Sequence, residues 1–67
     1  MQYAVTVQYE RPGLMDSEST LTGSLPTFYL DSNVQGIISE GHAASIIRTS
    51  LLRLMPTATF HVDAVAL

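Results

Sequence analysis

Sixty-seven residues with a net charge of −3, 46% of them hydrophobic and only 13% charged, leave room for one thin domain. The chain has no cysteine, which excludes disulfides and cysteine-ligated zinc, and no lysine, so Arg11, Arg48 and Arg53 are its whole cationic complement and a broad nucleic-acid footprint is not expected. The composition is too apolar and too weakly charged for intrinsic disorder. A domain of this size buries only about 60% of the surface its unfolded chain exposes, so self-association is the expected staple.

Residues 2–10 alternate strictly, with Tyr3, Val5, Val7 and Tyr9 on one side and Gln2, Ala4, Thr6, Gln8 and Glu10 on the other. Period-two alternation with β-branched and aromatic residues predicts a half-buried strand, stopped by Arg11-Pro12-Gly13. The opening stretch lacks a positive n-region and no apolar run approaches a membrane span, so a cytoplasmic location is the expectation. Residues 11–26 are rich in Ser, Thr, Asp and Gly, with Leu14, Met15, Leu21 and Leu25 scattered among them. They read as a partly ordered hairpin loop pinned by one or two leucines, in which Ser19–Thr22 could add a short strand and Asp16 could cap one helical turn.

After Pro26, the segment TFYLD predicts a second strand with Phe28 and Leu30 on one face. Its alternation can be continued through Ser32, Val34, Gly36 and Ile38, with a bend or bulge at Gly36; the rival reading begins a helix at Asn33. Ser39 is the better N-cap, so the strand or bent strand is expected to run to Ile38 and the helix to occupy residues 40–54. Glu40 suits the positive end of that helix and Arg53 its negative end. Ala43, Ile46, Ile47, Ser50, Leu51 and Leu54 form one stripe with the helical period, which assigns them to the core. Pro56 ends the helix, and residues 57–66 return to alternation, with Ala58, Phe60, Val62, Ala64 and Ala66 sharing a face.

The elements therefore read β-β-α-β in a single domain over residues 1–67. The expected fold is α+β: a three-stranded antiparallel sheet in order 2-1-3, with one amphipathic helix packed on one face. The other face is small and nearly free of charge, which makes strand addition or face-to-face dimerisation plausible.

Chemistry-bearing groups are sparse. His61 and Asp63 share a face of the last strand and could form a His–carboxylate pair or bind a metal, but no third ligand follows at recognisable spacing, and a solvent-facing polar edge is the commoner meaning. Glu40 and His42 open the helix; a histidine there could serve as a neutral base, and more often caps the first turn. No serine occupies a nucleophile elbow, and the Gly36–Gly41 segment lacks the spacing and the lysine of a phosphate loop. No catalytic, cofactor-binding or metal-binding residue is therefore assigned. On the helix, Ser45, Arg48, Thr49, Leu52 and Arg53 remain outward, and a leucine flanked by arginines makes this face the candidate protein interface. A nucleic-acid-associated regulator using the same two arginines is the alternative.

Leu30, Asp31, Gln35, Gly36, Ile37, Ser39, His42 and Ala43 form an L-D-x-x-x-Q-G-[IV]-x-S-x-x-H-A-like segment that precedes and enters the helix. In this middle third the chain resembles a family of small accessory proteins of actinobacterial phages. The resemblance carries over no functional residue. It implies a small phage accessory protein acting in the host cytoplasm by binding a host protein. The low charge, the thin core and the neutral outer sheet face, independently of the resemblance, lead to the expectation of a non-enzymatic interaction module that forms a homodimer.

Overall fold

A computed structural model describes residues 1–13 and 20–67 of the chain. The expectations attached to Leu14, Met15, Asp16 and Ser19 lie outside these residues. In chain order the elements are strands β1 (Gln2–Arg11), β2 (Leu21–Ser24) and β3 (Phe28–Asp31), a helical turn α1 (Ser32–Gln35), helix α2 (Glu40–Leu54) and strand β4 (Thr59–Ala66).

All pairing is antiparallel and β1 is the hub. One edge of β1 is shared by two short strands, β3 against Gln2–Val5 and β2 against Gln8–Arg11. Its opposite edge pairs with β4 from Tyr3↔Ala66 to Glu10↔Thr59. The α+β class and the central place of the first strand are as expected; the correction is a fourth strand, β2, in a stretch expected to be mainly loop. Leu25 continues β2's ladder, its N–H donating to the Val7 carbonyl at 3.0 Å, and its side chain packs against the core. Across β1, Gly23 lies opposite Tyr9, and a Cβ there would come within 2.6 Å of the Tyr9 hydroxyl. The ring thus covers a position where only glycine leaves room for it.

The second correction concerns residues 32–38. The strand does not run to Ile38; it ends at Asp31, whose carboxylate accepts the Asn33 N–H at 2.8 Å and caps a helical turn. Gly36 closes that turn at φ 65° in the left-handed region, so it is a helix-terminating glycine and not a strand bulge. The turn changes the phase of the pattern: Val34 and Ile38 are exposed, whereas Ile37, which the alternation would face outward, is buried in the core.

Helix α2 spans the expected residues. Ser39 Oγ accepts the His42 N–H at 3.1 Å, with Glu40 in the first turn and Arg53 in the last. It packs chiefly on β4 and secondarily on β1. Tyr3, Val5, Val7, Ile37, Ala43, Ile47, Ala58 and Phe60 make the core, with Ile46 and Leu51 partly buried against it. Each well-buried aliphatic side chain contributes roughly 1.5–3 kcal/mol gross. Two members of the expected stripe are corrected. Ser50 is exposed and returns its hydroxyl to the Ile46 carbonyl, and Leu54, in the last turn of the helix, is 79% exposed.

Candidate functional site

The sheet has a covered and an uncovered face, and the register fixes what the uncovered one carries. Residues directly opposite one another in an antiparallel pair point to the same side. Outward from the core, therefore, run rows Asp31–Gln2, then Tyr29–Ala4–Val65, then Thr6–Asp63, then Ser24–Gln8–His61, then Thr22–Glu10–Thr59. The Tyr29–Ala4–Val65 row carries no charge, and Tyr29 and Val65 remain 65% and 52% exposed. Met1 and Leu67, both exposed, extend from the same end of the sheet. The remaining rows are polar.

His61 and Asp63 do share this outer face. The partner found for His61 is Glu10, with Nε2 3.9 Å from Oε1 and both side chains at least half exposed. At that distance and exposure the pair contributes little to stability. Arg48 joins His61, Asp63, Gln8 and Ser24 around a shallow depression of about 570 Å³. Among the described residues no cluster of three or more His, Asp or Glu is placed to hold a metal ion.

His42 and Glu40 are both engaged in backbone capping. The His42 N–H donates to the N-cap Ser39, while the His42 Nδ1 accepts the Ile38 N–H at 3.3 Å, one residue before the N-cap whose amide a capping box would use. Glu40 reaches across to β4, where Oε2 accepts the Ala66 N–H at 2.8 Å. This contact joins residues far apart in the chain and had no signal in the sequence.

All five residues of the candidate helix interface, Ser45, Arg48, Thr49, Leu52 and Arg53, are exposed, and Leu52 retains 38% of its surface. Among the described residues, the outer helix face and the apolar row across the sheet are both left exposed. The row was hidden from sequence reading because Tyr29, Ala4 and Val65 come from three strands. Among the described residues no helix is long and apolar enough to cross a membrane. Compared with models of known protein families, with curated proteins and with solved structures, the chain matches none of them.

Proposed function

We propose that this chain is a small, non-enzymatic protein-interaction module that self-associates and binds a partner protein. The observation that carries the reading is the Tyr29–Ala4–Val65 row. It places an exposed aromatic and an exposed β-branched side chain on either side of a small residue, on a sheet face that no helix among the described residues covers. Contact surfaces concentrate binding energy in such aromatic and aliphatic anchors, ringed by polar groups. The outer face of α2, with Leu52 between Arg48 and Arg53, is the second surface offered to a partner. If the phage resemblance holds, that partner is a host protein.

The nucleic-acid alternative gains no support from the geometry. Arg48 and Arg53 are five residues apart, which sets them roughly 140° apart around the helix axis, on different flanks. A contiguous basic patch needs cations on one side.

Two measurements test the proposal. Light scattering after size exclusion is expected to show a mass above that of a single chain at micromolar to millimolar concentration; a monomer throughout contradicts self-association. Capture of a partner from host extract is expected to be lost on Leu52→Asp or on Tyr29→Asp with Val65→Asp. Capture indifferent to both would remove these surfaces as the binding site.

A further inference from the structure

The outer edge of β4 is open and self-complementary. Alternate residues of a strand direct their N–H and C=O to opposite edges. The Leu67 N–H donates to Gln2, so the odd residues of β4 face β1 and the even ones face away. Two of the outward amides are already taken: Ala66 by the Glu40 carboxylate at 2.8 Å, and Ala58 by the Met55 carbonyl at 3.2 Å. Between these closed ends lie Phe60, Val62 and Ala64, whose outward N–H and C=O groups have no partner among the described residues. The open stretch carries no proline and no lysine, two of the devices that usually discourage edge pairing.

We propose that this edge pairs with the same edge of a second copy, antiparallel about a two-fold axis through Val62. This rests on the self-association proposed above and names its interface. In this register Val62 faces Val62 of the partner subunit, and every outward N–H and C=O of Phe60, Val62 and Ala64 finds a partner. On the core side, the large Phe60 ring lies opposite the small Ala64 methyl. On the outer side, His61 lies opposite the partner's Asp63, which sets an imidazole N–H donor against a carboxylate acceptor. The neighbouring registers are penalised. A shift of two residues one way sets His61 against itself, and a shift the other way sets Asp63 against itself. The closed amides of Ala58 and Ala66 fall opposite each other, just beyond the paired stretch, so the interface ends where the hydrogen-bonding capacity ends. The charged groups around the His61–Asp63 contact are Glu10 on β1 and Arg48 on α2.

Five chains, the parent and four variants, compared by light scattering over a concentration series test the interface, with circular dichroism to confirm folding. Val62→Pro removes an outward N–H that the chain's own ladder does not use, and it is expected to weaken the dimer by roughly a hundredfold while the monomer stays folded. His61→Glu alone sets like charges across the axis, and Asp63→Arg alone removes the carboxylate that accepts from the imidazole; each is expected to weaken it by roughly tenfold. Combining the two sets opposite charges across the axis and is expected to recover the dimer. A dimer indifferent to Val62→Pro and to both charge reversals overturns the β4 interface while leaving self-association standing. A parent chain that never dimerises overturns both. If Val62→Pro fails to fold, the charge reversals decide: loss followed by rescue in the double variant supports the interface, and no loss overturns it.

Discussion

The two sides of β1 handle the same problem differently. On one side the sheet is finished by two strands of four residues each, interrupted at Leu25–Thr27 and bounded by Pro26 and the α1 turn. Short, broken edges template poorly, because a partner strand cannot stay in register across the gap. On the other side runs one continuous eight-residue strand, with its outer amides closed only at the ends by Met55 and Glu40. The difference teaches that an open edge here is delimited, not neglected: the stretch left between the two caps is centred on Val62.

The largest expected effect compares the two sides through their aromatic residues. Phe60 on β4 is buried beneath α2, whereas Phe28 on β3 is only half-buried. Phe60→Ala should cost about 3–5 kcal/mol in chemical denaturation, and Phe28→Ala distinctly less. Equal costs would mean that the β3 side is as well covered as the β4 side.

Next in size is a proline comparison within β4 itself. Asp63 directs its N–H towards Thr6 of β1, so Asp63→Pro should cost about 3 kcal/mol or more through the lost ladder bond. Val62→Pro should cost the monomer far less, because its N–H points away. Thermal melts of the two variants at low concentration measure the gap, and its reversal would show that the strand's edges have been assigned the wrong way round.

Glu40→Ala removes both the favourable charge at the helix N-terminus and the acceptor for Ala66, with an expected loss of about 1 kcal/mol. Amide exchange at Ala66 should accelerate in the same variant, and unchanged exchange would refute the edge cap. The smallest effect belongs to Leu54→Ala, expected to cost less than about 0.5 kcal/mol because the side chain is already in solvent. Ile47→Ala, about two turns earlier on the buried face, should cost about 2–5 kcal/mol in the same assay.

Much of the fold was legible because periodicity reports burial directly. The alternation of β1 and β4 and the 3.6-residue stripe of α2 state which side faces the core, and the Ser39 cap states where the helix starts; the structure agrees except at Ser50 and Leu54. Residues 32–38 were misread because Asp31 and Gly36 have two consistent meanings. An alternating pattern tolerates a strand through both, yet Asp31 can also cap a turn and Gly36 can end it in the left-handed region. The choice between them depends on Ile37 reaching the core, a tertiary fact. Leu54 was misassigned for a related reason: periodicity gives the direction of a side chain but not its depth of burial at the end of a helix. Of the candidate surfaces, the outward face of α2 could be read from one helix. The Tyr29–Ala4–Val65 row and the Glu40–Ala66 cap could not, since both depend on which strands become neighbours.

Amide hydrogen exchange of Phe60, Val62 and Ala64, followed by NMR from micromolar to millimolar concentration, tests the central claim most directly. The open edge predicts rapid exchange at all three positions in the dilute chain, and slowing in concert as the concentration rises. Ala66, held by Glu40 within its own chain, should change little. Exchange at Phe60, Val62 and Ala64 that is already slow when dilute, or that stays fast at concentrations where the chain is dimeric, would contradict the account.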